Sequence, residues 1–184
     1  MRYLDRFLRD RRLGQVARWI PVGATVLDVG CHDGALFRAI GFGLRFGVGI
    51  DSDLVGELRA ENYRLIPGRF PDDLPADVGP FDVVTMLAVF EHVAAEQQSD
   101  VVRACWQRLN DGGRVIVTVP SPVVDPILDV LVAARVIDGM KHEEHFGFDP
   151  TDLPALFEAA GFRLEHRHRF QLGLNNLFVF VKAA

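Results

Sequence analysis

VLDVGCHDGALF, residues 26–37, runs from an apolar strand pattern through a glycine-containing turn into a short helix pattern. Gly30 and Gly34 stand where a nucleotide-binding turn has glycines, and His32 and Asp33 lie between them, where a further glycine is usual. In an open α/β sheet, ligands bind beyond the carboxyl ends of the strands, next to the first strand. The stretch therefore predicts a ligand-binding turn.

Strand and helix patterns alternate on both sides of this turn. Apolar strand patterns occur at TVLDV, FGVGI, YRLI, FDVVTML, RVIVTVP, FRLEHRHRF and LFVFVK. Helices are predicted between several of them, including residues 54–60 and 93–109. Near-continuous apolar strands separated by helices indicate a parallel sheet that is covered on both faces. The short connection QLGLNN makes the last two strands antiparallel to each other. The sequence predicts a doubly wound α/β fold.

Length and composition indicate one globular domain. The chain has 184 residues, of which 49% are hydrophobic and 24% charged, as is ordinary for a single soluble domain spanning residues 1–184. Residues 1–20 show helical spacing, and residues 122–149 are interpreted as an inserted helix (122–137) followed by an irregular loop. The arginines of the first segment form either a solvated helix face or a contact surface for an anionic partner.

Charge and cysteine content narrow the partners and the compartment. A net charge of −5 argues against nucleic acid as a partner, because its binding requires Lys and Arg to neutralise phosphates. No apolar run reaches the length of about 18 residues that a membrane span needs. The charged start lacks a signal-peptide cleavage pattern and only two cysteines are present, so we expect a cytoplasmic location and no disulfide framework.

The acidic residues around the first turn indicate which ligand it accepts. Asp51 closes the second strand 21 positions after Gly30, close to the spacing of an acid that binds ribose hydroxyls. The imidazole of His32 would obstruct a pyrophosphate, and Asp28 and Asp33 would repel one. We therefore expect a ligand without phosphate and with a positively charged end.

The order of the motifs carries a family resemblance. VLDVGCHDG, GIDSD, FDVVTMLAVFEHV and LNDGGRVIVTVPSP follow one another as in class I S-adenosylmethionine-dependent methyltransferases, which the chain resembles from about residue 24 to 121. EAAGF and the two strands after it resemble the family's ending. The resemblance implies a seven-stranded, mostly parallel sheet with helices on both faces, the last strand being antiparallel and inserted between the fifth and sixth. It also implies S-adenosylmethionine as cofactor and S-adenosylhomocysteine as product.

The resemblance implies that residues at or just after the ends of four strands bind the cofactor. Asp28 and Gly30 would lie by the methionine portion, and Asp51 would bind the ribose hydroxyls. The full set of implied cofactor-binding residues is Asp28, Gly30, Cys31, His32, Gly34, Asp51, Ser52, Arg69, Phe70, Met86 and Leu87. The chain departs from the family at His32, where glycine or a small residue is usual, and at Gly68-Arg69, where Gly-Asp is common, so Asp72 or Asp73 is an alternative adenine contact.

Histidines are the candidates for a general base, because they titrate near neutrality. His92 follows Glu91 after the fourth strand, and it has either a structural or a functional role. His142 and His145 lie in KHEEHF, within residues 122–149, and the resemblance implies that this segment covers the acceptor pocket. The spacing in KHEEHF fits no zinc motif and no third ligand is evident, so no metal is expected.

The last strand patterns contain two further histidines. His166 and His168 alternate with Arg167 and Arg169 in FRLEHRHRF, which is typical of a half-exposed strand. We expect both imidazoles to be exposed to solvent.

The acceptor is expected to be a small molecule. The chain lacks the Asn/Asp-Pro-Pro-aromatic tetrad that the family often uses on base amines, and no nucleic-acid module is evident. A sugar or envelope-glycan precursor, a quinone, a lipid and other metabolites remain open. Two other classes also remain, a non-catalytic interaction protein with this fold and a nicotinamide-dependent oxidoreductase, although the latter would favour glycine at position 32. The oligomeric state is not predicted.

Overall fold

The computed structural model describes residues 3–121 and 149–183. Its strands are β1 (Ala24–Val29), β2 (Leu44–Asp51), β3 (Leu58–Arg59), β4 (Tyr63–Pro67), β5 (Phe81–Leu87), β6 (Leu109–Pro120), β7 (Phe162–Phe170) and β8 (Asn175–Lys182). Its α-helices are α1 (Tyr3–Ala17), α2 (Ala35–Ile40), α3 (Ala95–Arg108) and α4 (Leu153–Ala159), and single 3-10 turns occur at Gly41–Gly43 and Phe90–His92. The inserted helix expected at residues 122–137 lies outside the described residues.

All the strands join one mixed sheet in the order β3-β4-β2-β1-β5-β6-β8-β7. The pairs β4-β2, β2-β1, β1-β5 and β5-β6 are parallel, whereas β8 is antiparallel to β6 and to β7. The last strand therefore lies between the two that precede it, which confirms the predicted doubly wound architecture. Among the described residues the sheet has eight strands rather than seven, because the two-residue β3 pairs with β4.

The prediction of a helix at residues 54–60 is wrong. This segment contains bends and then β3. Val55 and Leu58 are 105% and 48% exposed, so its apolar residues form no buried stripe. Gly56 further disfavours a helix, and a segment this short cannot maintain one without tertiary packing.

Both faces of the sheet are buried, which explains the continuous apolar strands. Adjacent residues of β1 face opposite sides, Leu27 in the cluster with α3 and α4 and Val26 in the cluster with α1 and α2. The first cluster includes Val102, Cys105, Phe157, Phe178 and Phe180, and the second includes Leu13, Val16, Phe37, Leu177 and Val179.

Hydrogen bonds tie the loops after the parallel strands to one another. The amide of Gly30 donates to Ile50 O at 2.8 Å, and the amide of Gly68 donates to Asp51 O at 3.0 Å. The amide of Ala88, after β5, donates to Thr118 O of β6 at 2.8 Å. The carboxyl ends of β4, β2, β1, β5 and β6 therefore form one continuous edge, which we call the carboxyl edge.

Candidate functional site

The turn after β1 is left-handed at three positions. Gly30, His32 and Gly34 have φ angles of 72°, 46° and 75°. His32 thus adopts a conformation that glycine adopts without strain and that most other residues avoid. A Cβ added at Gly30 would lie 2.3 Å from Cγ2 of Val89, a residue in the loop after β5. The turn keeps its tight course although His32 stands at its centre.

Asp51 joins the turn to the end of β2. Its Oδ2 accepts a hydrogen bond from the amide of His32 at 2.8 Å, and its Oδ1 accepts one from the amide of Asp53 at 2.9 Å. The side chain is partly exposed and Ser52 beside it is exposed. A carboxylate fixed by two amides keeps lone pairs for further donors, so it can receive two neighbouring hydroxyls.

Asp28 is a buried carboxyl beneath the same turn. It is 3% exposed, and its Oδ1 accepts a hydrogen bond from Oγ1 of Thr85 on β5 at 2.6 Å. Burial raises the pKa of Asp28 to about 7, an increase that the Thr85 hydroxyl opposes and the negative charge of Asp51 reinforces. A cation above the turn would therefore favour the ionised form of Asp28 near neutral pH.

The side chains of Cys31 and Met86 belong to the core. Cys31 is 5% exposed, and its Sγ lies only 2.5 Å from where a Cβ on Gly49 would be. Burial raises the pKa of this thiol, which therefore stays protonated. Met86 is 0% exposed, whereas Leu87 is partly exposed. The side chains of Cys31 and Met86 are therefore not available to a ligand.

The loop after β4 is closed by Asp73. Its Oδ2 accepts a hydrogen bond from the amide of Arg69 at 2.8 Å, and its own amide donates to Arg69 O at 2.9 Å. Arg69 and Asp72 are exposed, and Phe70 is half-buried against the α3–α4 core cluster. One oxygen of Asp73 is thus used within the loop, and Phe70 is the partly exposed apolar side chain next to it.

The loop after β5 carries the candidate base of the described chain. Ala88 has a φ of 60°, and the amide of His92 donates to Val89 O at 3.0 Å within the 3-10 turn. His92 is exposed, whereas Glu91 is 2% exposed. His142 and His145 lie outside the described residues.

Helix α1 lies next to the carboxyl edge. Nη1 of Arg9 is 3.7 Å from Oδ2 of Asp33 in the turn after β1. Burial lowers the pKa of Arg12, and the negative charge of Glu91 opposes that decrease. Two arginines of α1, Arg9 and Arg12, therefore lie near acidic groups in the loops after β1 and β5, so this helix is not simply a solvated face.

The structure thus brings together the predicted positions that follow β1, β2, β4 and β5. It adds Thr85 and Val89, which were not candidates from the sequence, and it brings Arg12, one of the arginines of the first segment, near Glu91. A hydroxyl inside the apolar run FDVVTML was a usable signal for Thr85. Val89 gave none, because the glycine that it packs against, Gly30, is far away in the chain. Within the described ranges, no group of three His, Cys, Asp or Glu residues could hold a metal ion, and no helix is long and apolar enough to cross a membrane.

Residues 1–167 match a family model described as a methyltransferase domain. The ubiquinone biosynthesis O-methyltransferase of Xanthomonas axonopodis pv. citri is 30% identical over 164 residues, which cover 81% of this chain and 66% of that protein. The enzyme of the same name from Xylella fastidiosa is 29% identical over 174 residues, which cover 86% of this chain and 69% of that protein. The chain spans about two thirds of the length of these relatives.

A solved structure of low sequence identity shares the fold. The magnesium protoporphyrin IX methyltransferase of Synechocystis PCC 6803, with bound S-adenosylhomocysteine, aligns with a TM-score of 0.70 at 15% identity. The alignment covers 100% of this chain and 89% of that chain.

Proposed function

This chain belongs to the methyltransferase domain family of S-adenosylmethionine-dependent enzymes, and we propose that it transfers a methyl group to a hydroxyl oxygen of a small-molecule acceptor. The observation that carries the proposal is the turn after β1, where the Asp51 carboxylate is fixed by the amides of His32 and Asp53. The choice of oxygen rests on the O-methyltransferase relatives at 29–30% identity.

The residues of the turn fit S-adenosylmethionine better than a dinucleotide. Asp28, Asp33 and Asp51 lie around the turn, so a pyrophosphate would meet three carboxyl groups, while a sulfonium and an ammonium would be attracted. Arg38 and Arg9 are both directed at Asp33, at 2.8 and 3.7 Å, and leave the other two acids to the ligand. These carboxyl groups therefore favour a cationic cofactor without phosphate.

The proposed contacts follow from the positions of these groups. The Asp51 carboxylate would accept both ribose hydroxyls, and Ser52 and Phe70 would border the adenine. Asp28 would face the ammonium of the methionine portion, next to the backbone of Gly30 and Leu87. When bound, the cofactor supplies a methyl group already activated by its sulfonium, so that the protein mainly aligns the two reactants.

A hydroxyl acceptor requires a base, because a neutral hydroxyl is a weak nucleophile. His92 is exposed in the loop after β5, at the carboxyl edge. An imidazole there would take the hydroxyl proton as the oxygen attacks. His142 and His145 are the other candidates, since the family resemblance implies that their segment would cover the acceptor pocket.

The acceptor class can be tested with the purified chain and methyl-labelled S-adenosylmethionine. We expect label on an aryl hydroxyl of a quinone precursor, since the relatives are named ubiquinone biosynthesis O-methyltransferases, with a nucleotide sugar and a primary amine as competing acceptors. Asp51→Ala should strongly reduce transfer at a limiting cofactor concentration, and Asp53→Ala, which keeps the backbone amide at position 53, serves as the matched control. Label found only on the amine or only on the sugar would contradict the aryl hydroxyl.

The base can be identified from three single variants. His92→Gln, His142→Gln and His145→Gln should each retain the affinity for S-adenosylhomocysteine, and the variant lacking the base should turn over about 10²–10⁴-fold more slowly. A pH–rate profile that loses its acidic limb in the same variant would confirm the assignment. Full turnover in all three would exclude a histidine base.

A further inference from the structure

A second cavity lies on the sheet face that α1 covers, far from the cofactor-binding turn. It has a volume of about 300 Å³ and is lined, among the described residues, by Gln15, Arg18, Trp19, His166, His168 and Leu177. It lies against β7, which β5, β6 and β8 separate from β1 in the sheet. With strands about 4.8 Å apart, the cavity is roughly 19 Å from the turn after β1.

A bulge in β7 directs the two histidines into this cavity. The register with β8 shifts between Leu164 and His166, so that Leu164 packs in the α3–α4 core cluster while His166 pairs with Val179 of the opposite cluster. His168, two residues later, faces the same side as His166. Bulges reorient side chains in this way and often occur beside binding sites. Both imidazoles are half-buried, so the prediction that they are exposed is wrong.

Aromatic rings form a continuous wall along the cavity. The ring centroids of Trp19 and His166 are 4.6 Å apart, those of His166 and His168 are 5.9 Å apart, and those of His168 and Phe170 are 6.0 Å apart. Leu177, at 1% exposure, closes the floor. This wall gives the cavity an apolar side that suits a flat ring.

The polar groups of the cavity are those that bind anions. Gln15 lies on α1 and Arg18 in the turn directly after it. None of the described lining residues is acidic, in a chain with 25 acidic and 20 basic residues. Nε2 of His168 is buried and has no hydrogen-bond partner in the described part of the chain. A buried ring nitrogen without a partner is rare in proteins. Because this atom has almost no accessible surface, it reaches a ligand atom in the cavity only when the imidazole turns toward it.

We propose that this cavity binds a small aromatic carboxylate, with its ring along the Trp19–His166 wall and its carboxylate between Arg18 and His168. An arginine fork and an imidazole N–H match the two oxygens of a carboxylate, and such charge-assisted hydrogen bonds are strong. The site is independent of the proposed methyl transfer.

Benzoate is the test probe, with benzamide as its neutral analogue and inorganic phosphate as an anion without a ring. Benzoate is titrated at pH 7 into the full chain saturated with S-adenosylhomocysteine, with the imidazole signals of His166 and His168 followed by NMR. We expect saturable shifts of both signals and an affinity at least about tenfold above that of benzamide or phosphate, since only benzoate makes both kinds of contact. Equal affinity for benzamide, or no saturation, would overturn the proposal.

Two variants locate the bound anion. Arg18→Gln should weaken benzoate binding by roughly tenfold or more, because it removes a charged hydrogen-bond donor. Arg169→Gln, on the opposite face of β7, is the matched control and should bind as the wild type does. Equal losses in both variants, or no loss in Arg18→Gln, would contradict the site. The affinity for S-adenosylhomocysteine should be unchanged in both, and it is measured separately so that a failure of the proposed function is recognised independently.

Discussion

Two carboxyl groups on neighbouring strands have opposite surroundings, and their roles follow from this difference. Asp51 is partly exposed at the end of β2, with each oxygen bound to a backbone amide. Asp28 is buried on β1, bound to the hydroxyl of Thr85. In the proposed function, the first would be a fixed acceptor for neutral donors, and the second would be a group whose charge responds to a cation bound above it.

Replacing Asp51 should separate binding from folding. We expect Asp51→Ala to weaken binding of S-adenosylhomocysteine by about 2–4 kcal/mol, because two charge-assisted hydrogen bonds to the ribose are lost. Calorimetric titration gives the affinity, and Asp53→Ala is the control that keeps the backbone amide at 53. Wild-type affinity in Asp51→Ala would remove this residue from the site.

The buried carboxyl should make stability depend on pH. Burial raises the pKa of Asp28 from its ordinary value of 3.8 to about 7 in the fold, so the fold favours the protonated carboxyl. Its ionisation therefore destabilises the protein progressively as pH rises from about 4 to 7, by up to about 1.4 kcal/mol per pH unit.

Urea unfolding of wild type and Asp28→Asn at several pH values measures this effect. The variant keeps an oxygen that can accept from Thr85, and its free energy of unfolding should increase relative to wild type between pH 4 and 7. Saturating S-adenosylhomocysteine should reduce the difference, because its ammonium would stabilise the ionised carboxylate. Parallel curves for the two proteins would show that Asp28 titrates normally.

At the level of elements, the turn after β1 depends on a close contact with the loop after β5. Gly30 and Gly112 have the same φ of 72°, but only Gly30 has a neighbour, Val89, within reach of an added Cβ. Gly112→Ala should cost about 1 kcal/mol of stability from backbone strain alone. Gly30→Ala should cost about 2–4 kcal/mol, because overpacking is added to the same strain.

A double variant separates the two contributions. Val89→Ala in the Gly30→Ala background should recover the overpacking part while the backbone strain remains. Denaturant midpoints measure stability, and binding of S-adenosylhomocysteine reports whether the turn is restored. If Gly30→Ala cost no more than Gly112→Ala, the packing of Val89 would have no role in the turn.

At the scale of the whole molecule, ligand binding should increase the free energy of unfolding. S-adenosylhomocysteine at 100 times its dissociation constant should add about 2.7 kcal/mol to the free energy of unfolding. NAD at the same concentration should add nothing, because its pyrophosphate would meet the carboxyl groups of the turn. Thermal unfolding with each compound tests this, and Asp51→Ala provides a folded control of reduced response. Stabilisation by NAD alone would contradict the proposed function.

The sequence determined the fold class and the position of the candidate site. Continuous apolar strands such as FDVVTML can be stable only with both faces buried, and an acid at the end of β2 must lie beside the turn after β1 in a parallel sheet. These are consequences of local periodicity and of strand direction, which the sequence carries directly. The ligand class was also predicted from the sequence, since His32 would obstruct a pyrophosphate and Asp28 and Asp33 would repel one.

Only the tertiary structure decided what depends on contacts between distant segments. The segment at residues 54–60 is not helical because its apolar residues find nothing to pack against, and the bulge before His166 changes which face of β7 carries the histidines. Arg9 reaches Asp33, and Val89 closes over Gly30, only after the chain has folded. Packing between segments far apart in sequence leaves no periodic signal, and for that reason the second cavity could not be foreseen.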